Sequence, residues 1–330
     1  MKESYNWGIL APGKIAGKFA SDLASVNGAN LYAVGSRSAD RAEEFAKKYG
    51  FQKSYGSYEE LLSDPDLDIV YIASPHSHHY RHTMMALEAG RNVLCEKAFS
   101  HNRIEVEEMI EKASAGSLFL MEALWPPFQP SYRMARDVIE SGELGEIVHL
   151  RSHFAFVAPY DPEGRLYNPE LAGGALLDIG IYPVMDALSF MGVPKLISAV
   201  AGIAPTGVDH TIDIRFDYGN GRTASLYASI QSWGGTATEI FCTKGKILLE
   251  RGTGKGQICQ ISREGKETVT ERWDTATNGF EHEAAEVMKS IGERRCQSSV
   301  VPWSFSIDLI TILDSVRGKI GLIYPGELKK

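Results

Sequence analysis

Gly8-Ile9-Leu10-Ala11-Pro12-Gly13-Lys14-Ile15-Ala16 is the stretch on which the reading of this chain turns. Ahead of it Trp7–Leu10 is a short apolar strand, and behind it Ile15–Val26 has helical spacing, so the segment is the turn of a strand-turn-helix unit. It reads Ala11-x-Gly13-x-x-Ala16, a variant of G-x-G-x-x-G/A with alanine at the first glycine. In that pattern the middle glycine lets a pyrophosphate approach closely. The helix N-terminus supplies free N–H groups and the positive end of a dipole. Contacts to a dinucleotide are therefore expected from Ala11, Pro12, Gly13, Lys14 and Ile15. Taken alone, the same residues also describe an ordinary turn with an incidental glycine.

Outward from this turn the first third of the chain alternates strands and helices. Strands are expected at Leu31–Gly35, Ile69–Ala73, Asn92–Cys95 and Leu118–Met121. Helices are expected at Asp40–Tyr49, Tyr58–Leu62, Tyr80–Ala89 and Arg103–Ser114. The run Ile-Val-Tyr-Ile-Ala has no polar alternation, as a strand buried on both faces requires. Strands separated by helices indicate crossover connections and a doubly wound parallel sheet, a Rossmann-type α/β domain. After about residue 125 the pattern changes to alternation, at Val148–Phe156, His210–Tyr218 and Thr223–Ile230. Asn220-Gly221 between the last two is a strong hairpin signal. Ala237–Cys242 and Ile247–Glu250 form a second hairpin through Lys244-Gly245, and helices return at Phe280–Ser290 and Ser304–Gly318. The expected division is a dinucleotide-binding domain over 1–123, then an α+β domain over 124–330 with an open, mostly antiparallel sheet.

Composition narrows the function. Of 330 residues 44% are hydrophobic and 23% charged, as in a globular protein. The net charge of -8 argues against nucleic-acid binding, which needs surplus Lys and Arg against phosphate. No long apolar run calls for a membrane. The polar start Met1 to Asn6 runs straight into a strand, and Cys95, Cys242, Cys259 and Cys296 are widely spaced, so the chain reads as cytoplasmic, without a disulfide frame or zinc knuckle.

The end of the second strand bears on the cofactor. An NAD site usually places an acidic residue there for the ribose 2′-hydroxyl. This chain has Ser36-Arg37-Ser38. A guanidinium and hydroxyls suit a 2′-phosphate, so NADP is expected over NAD, which stays possible.

Further motifs follow in order. Ser74-Pro75-His76-Ser77-His78-His79 comes after the fourth strand, and Glu96-Lys97-Ala98 after the fifth. Met121-Glu122-Ala123-Leu124-Trp125 ends the first domain, and Gly173-Gly174-Ala175-Leu176-Leu177-Asp178-Ile179-Gly180-Ile181-Tyr182 lies in the second. Together they resemble the Gfo/Idh/MocA oxidoreductases, whose patterns are Thr-Pro-Asn-x-x-His, Glu-Lys-Pro and a glycine-rich D-x-G-x-H. Tyr182 in place of the last His is most similar to the dihydrodiol and xylose dehydrogenase branch. The resemblance implies a Rossmann domain followed by an open-sheet domain with the active site between them. It implies Lys97 and Tyr182 in catalysis, and cofactor contacts from Gly13, Ser36, Arg37, Pro75, His76, His79 and Glu96. Ser74, Lys97 and Trp125 are added to the cofactor set. Ala98 stands where the family has a proline preceded by a cis bond; before a non-proline residue that isomer costs roughly 3 kcal/mol.

The chemistry also follows from residue types. Hydride transfer at a carbinol needs a group that takes or gives the hydroxyl proton. A tyrosine near an ammonium and an oxidised nicotinamide is shifted toward its ionised form. Lys97 closes a parallel strand at its carboxyl end, where ligands bind in open α/β sheets. Asp178 lies four residues before Tyr182, one helical turn away, and orients the dyad or the substrate. Trp125, Phe154, Tyr160 and Tyr182 are the expected substrate wall for a sugar or cyclic diol. The alternating sheet, with Phe, Tyr and Leu on alternate positions, suits a homodimer interface. Two other classes stay open: a non-catalytic dinucleotide-binding regulator, and a metal-dependent hydrolase built on His76, His78, His79 and His82. No metal is expected at those histidines, because no Cys or carboxylate stands near them in sequence.

Overall fold

The computed structural model describes residues 2–251, 256–274 and 276–327. The first half of the chain runs β1 (Tyr5–Leu10), α1 (Lys14–Leu23), β2 (Ala29–Gly35), α2 (Ala39–Tyr49), β3 (Lys53–Tyr55), α3 (Tyr58–Ser63), β4 (Ile69–Ile72), α4 (His79–Glu88), β5 (Asn92–Glu96), α5 (Arg103–Ala115) and β6 (Leu120–Ala123). The six strands form one parallel sheet in the order β3-β2-β1-β4-β5-β6. Strand order reverses beside β1, between β1 and β4, and an open sheet of this kind binds ligands at the carboxyl ends flanking that reversal. All four residues of β4 are buried, as its uninterrupted apolar run requires. Trp7, Phe19 and Tyr71 are fully buried around the central strands, with Phe19 stacked on Tyr71 at 3.8 Å and 11°.

The second half runs α6 (Pro130–Glu140), β7 (Ile147–Val157), a π turn (Leu176–Gly180), α7 (Ile181–Met191), β8 (Leu196–Ile203), β9 (Asp209–Gly219), β10 (Arg222–Ser229), β11 (Gln231–Cys242), β12 (Gly245–Arg251), β13 (Gln257–Arg263), β14 (Val269–Trp273), α8 (Glu281–Gly292) and α9 (Trp303–Ile320). Its sheet has the order β14-β13-β12-β11-β7-β10-β9-β8. Only β7 and β10 pair in parallel. The β9–β10 turn uses positive φ at both Asn220 (55°) and Gly221 (77°), the requirement that Asn-Gly meets at least steric cost. One face of the sheet is packed: Ile212, Ile214, Phe216 and Tyr218 of β9 are buried, while Asp213, Arg215 and Asp217 are exposed.

The chain divides into two compact units, and the division departs from a single cut at residue 123. Met1–Pro127 is joined by Ala276–Ile307, so α8 belongs to the first unit; Phe128–Thr275 and Asp308–Glu327 make the second. The return is fastened by Asp22 at the end of α1. Its carboxylate accepts the Asn278 amide at 2.9 Å, the Asn278 side chain at 2.9 Å and the Phe280 amide at 3.0 Å. The expectation of no long apolar run also needs amending. Pro169–Met191 has a mean hydropathy of 1.4 over its most apolar window, but 94% of that window is buried inside the protein. It is the core helix of the second unit, apolar on all sides because sheet and loops cover it.

Candidate cofactor and catalytic sites

In the first unit the turn after β1 carries the features a pyrophosphate needs. Gly13 precedes α1 in an extended conformation, and no side chain caps this helix. By contrast Ser38, Ser57 and Asn102 cap α2, α3 and α5. A Cβ built on Gly13 meets nothing within 4 Å. The cradle is therefore open above a row of helix N–H groups, and its donors fit an anion. Ala11 takes φ 68°, a left-handed conformation that normally favours glycine. The first glycine of the pattern is absent while the backbone shape it serves is kept. Pro12 and Ile15 are half-buried, Gly13 and Lys14 exposed.

After β2, Ser36 is buried and accepts the Ser38 amide, while Ser38 caps α2 through the Arg41 amide. Arg37 is exposed and hydrogen-bonds Tyr58, whose phenol is raised by burial and opposed by Arg37. The same guanidinium adds to the burial that lowers His78. No carboxylate follows β2 until Asp40, on α2.

The histidine segment after β4 is a hydrogen-bonded structure. His79 is buried, with Nδ1 2.7 Å from the Ala98 carbonyl and Nε2 2.8 Å from the Ser74 carbonyl. Burial, with Lys97 adding to it, holds its pKa down at about 4, so at neutral pH one of these nitrogens donates. His82 Nδ1 meets the Ser74 hydroxyl at 2.9 Å, and His78 meets Ser77 at 2.8 Å. His76 is buried and packs edge-on to His79 at 5.6 Å. Among the described residues no group of three or more His, Cys, Asp or Glu is placed to hold a metal ion.

At the end of β5 three backbone polar groups of the Lys97 turn meet side chains. The Lys97 amide donates to its neighbour Glu96 at 3.2 Å, and His79 holds the Ala98 carbonyl. The Phe99 amide donates to Glu122 on β6 at 2.9 Å. Glu96 is itself bonded by the Tyr71 hydroxyl. The Lys97–Ala98 peptide is cis, the isomer the family has before its proline. Trp125 lies beyond β6, half-buried, with Phe280 at 6.2 Å in a T-shaped contact.

In the second unit the glycine-rich segment leads through the π turn into α7. Asp178 stands in that turn and Tyr182 one turn later, both buried. Single π turns recur at functional sites, where they re-aim a side chain on a helix. The Tyr182 ring lies 5.6 Å from Phe154 on β7. Tyr160 is 52% exposed and sits edge-on to Tyr167 at 4.9 Å. Phe154 thus shares a wall with Tyr182, and Tyr160 contacts Tyr167.

Two residues invisible to pattern reading complete this site. Arg165, in the loop after β7, donates to Asp178 at 2.8 and 3.4 Å. Asp209 is fully buried, accepts the Leu176 amide at 2.7 Å and so anchors the start of the π turn. Burial pushes its carboxyl up to about 7. No local signal marks either residue; both are specified by tertiary contact.

A six-stranded parallel sheet with its strand reversal beside β1, an open phosphate cradle after β1 and a basic residue after β2 define a dinucleotide-binding oxidoreductase. The chain belongs to the Gfo/Idh/MocA family: residues 5–123 match its oxidoreductase domain with the NAD-binding Rossmann fold, and residues 132–248 its C-terminal domain. It is 36% identical over 330 residues to the trans-1,2-dihydrobenzene-1,2-diol dehydrogenase of Mus musculus, covering 97% of this chain and 98% of the relative. It is 33% identical over 363 residues to the D-xylose 1-dehydrogenase (NADP(+)) of Hypocrea jecorina, with 97% and 93% covered. Among solved structures, the 3-ketoreductase from Actinomadura kijaniata in complex with NADP and TDP-benzene has the same fold, with TM-score 0.86 at 23% identity over 96% of this chain and 98% of that one. The protein is an NAD(P)-dependent oxidoreductase.

Proposed function

We propose that this oxidoreductase is an NADP-preferring dehydrogenase of the hydroxyl groups of sugars or cyclic diols, or a reductase of the matching carbonyls. The observation that carries the cofactor half is Arg37 after β2, exposed and with no acidic residue beside it in sequence, together with the open cradle at Gly13 after β1. The substrate half rests on relatives named for a dihydrobenzene diol and for xylose, each matched over nearly the whole chain. Gly13 and its neighbours Ala11, Pro12, Lys14 and Ile15 hold the pyrophosphate, and Ser36 and Arg37 the 2′-phosphate. Ser74, Pro75, His76, His79, Glu96, Lys97 and Trp125 line the rest of the cofactor.

A bound nicotinamide would supply the hydride acceptor or donor. Tyr182 moves the substrate hydroxyl proton at its phenolic oxygen, and Phe154 fixes the plane of its ring. Asp178, clamped by Arg165, orients the substrate one turn away from Tyr182. Trp125, Phe154 and Tyr160 give apolar faces on which a ring stacks. Lys97 would meet the cofactor ribose from the turn that His79 and Glu122 hold. The test is kcat/KM with NADP and NAD over sugars, inositols and dihydrodiols. NADP should be preferred, and Arg37→Asp should shift the preference toward NAD; equal or better use of NAD by the wild type overturns the cofactor assignment.

The same reading includes a cytoplasmic homodimer built through the second sheet. Leu196 and Val200 on β8 are 67% and 70% exposed, and Trp233 on β11 is 88% exposed. Exposed apolar residues on an open sheet, here on edge strand β8 and on β11, favour association. The four free cysteines accord with a reducing compartment. Light scattering at micromolar concentration should give twice the chain mass, and a monomer there refutes the dimer.

A further inference from the structure

We propose that Glu122 is a positioning residue for the reaction, holding Lys97 at the end of β5 through the Phe99 amide and through its charge. The inference rests on the role given above to Lys97. Glu122 sits on β6 opposite Cys95 of β5, so its side chain starts beside the strand that delivers Lys97. Its side chain is only marginally exposed, at 2% for the residue. One carboxylate oxygen takes the Phe99 amide at 2.9 Å, two residues beyond Lys97, and Ser306 of α9 hydrogen-bonds the same carboxyl. The other oxygen is buried with no partner among the described residues. A carboxylate so enclosed costs free energy unless a cation stands near it, and Lys97 is the cation that acts on it.

The groups facing this carboxyl are few. From the β5 end come Lys97, Glu96 and Cys95; from the start of α4, His79 acts on Lys97; from α9 comes the neutral Ser306 hydroxyl. Burial pushes Glu122 up to about 7, Lys97 opposes the rise and Glu96 adds to it. The sign follows directly. Below about 7 the carboxyl is neutral and no longer attracts Lys97; above it that attraction is restored. The Phe99 amide has an oxygen to meet at both values, but the pull of the Glu122 charge on the ammonium is present only at the higher pH. Glu122 thus acts through Lys97 and touches neither substrate nor cofactor.

The experiment is infrared difference spectroscopy of the protein without cofactor or substrate, titrated from pH 5.5 to 8.5, a span set around a midpoint of about 7. The wild type should lose a buried carboxylic-acid C=O band with a midpoint near neutrality. Glu122→Gln, which keeps an oxygen for the Phe99 amide, should lack that band. Lys97→Met should move its midpoint upward by roughly one pH unit, the pull of one nearby ammonium. Burial also pushes Asp209 up to about 7, so its band should be common to all three proteins and the Glu122 band is read as the wild-type minus Glu122→Gln difference. In the kinetic arm, kcat/KM of the wild type should fall below neutral pH, and Glu122→Gln should remove that limb while lowering the rate at pH 8 about tenfold. If Glu122→Gln fails to fold, Glu122→Asp serves instead, with the band displaced in frequency. Carboxylic-acid band intensity near neutrality that is as large in Glu122→Gln as in the wild type, or a midpoint of the Glu122-dependent part indifferent to Lys97→Met, overturns the proposal. Absence of turnover by the wild type on every substrate rejects the dehydrogenase reading and leaves the infrared arm to decide this one.

Discussion

Replacing Tyr182 by phenylalanine removes one oxygen from a site otherwise held by packing. The ring is 8% exposed and stays against Phe154 at 5.6 Å, so its apolar contacts survive. Loss of a single hydroxyl should change stability by about 1 kcal/mol or less. The chemical effect should be far larger. A positioned acid/base group contributes about 10²- to 10⁴-fold in rate, which at about 1.4 kcal/mol per decade is roughly 2.7 to 5.5 kcal/mol of barrier. The assay is steady-state oxidation of a good substrate with NADP, with a deuterium-labelled carbinol to establish that hydride transfer limits the rate. NADP affinity, read from quenching of protein fluorescence, should stay within about twofold, since uniform binding is untouched. If Tyr182→Phe keeps more than about a third of kcat with chemistry rate-limiting, the phenol is not the proton carrier. His79 and His153 would then be the next candidates; His153 Nε2 lies 3.0 Å from the Gly234 carbonyl.

Two further perturbations test the cofactor cradle and the frame behind the catalytic helix. Gly13→Ala puts a methyl where no protein atom lies within 4 Å, so the melting temperature should not change while NADP binds about tenfold or more weakly; unchanged binding in calorimetry would remove the pyrophosphate from this turn. Arg251→Met breaks a buried pair in which the guanidinium meets Asp186 at 2.7 Å through both nitrogens. Urea unfolding should show a loss of about 3–5 kcal/mol, and a loss below about 1 kcal/mol would mean that the Ser152 and Thr238 hydroxyls suffice for Asp186.

The sequence spoke most clearly where local chemistry and tertiary demand coincide. The apolar run of β4 can only be a doubly covered strand, and Asn220-Gly221 has little choice of turn. Elements were missed where the two diverge. β8 presents Leu196, Val200 and Ile203 outward, so its alternation carries no polar face to read. β13 buries a polar residue at its start: Gln257 accepts the Ser131 hydroxyl at 2.5 Å and donates to Gln129, which conceals the period. The return of α8 depends on Asp22 meeting residues some 256 positions later, and no window of sequence encodes that.

The residues proposed for catalysis show the same division. Lys97, Tyr182 and the turn at Gly13 could be singled out in sequence because they stand beside recognisable strand ends and helix starts, where the structure also places them. Their supports were not, because Arg165, Glu122 and Asp209 are ordinary residue types until the fold brings them to a carboxylate, an amide or a helix end. Gly173-Gly174 makes the point most sharply. As sequence the pair is a motif without a cause. A Cβ on Gly174 would stand 2.2 Å from the Asp209 carboxylate, and one on Gly173 2.8 Å from the Arg165 carbonyl. Gly174 also takes φ 117°, a conformation closed to most L-residues. The glycines are there so that the anchor of the π turn and the loop bearing the Asp178 clamp can both close on the segment that carries Tyr182. A Cβ at either position would force the Asp209 anchor or the Arg165 loop away from the segment that leads into the Tyr182 helix, so the two glycines act on where that helix starts rather than on the phenol itself.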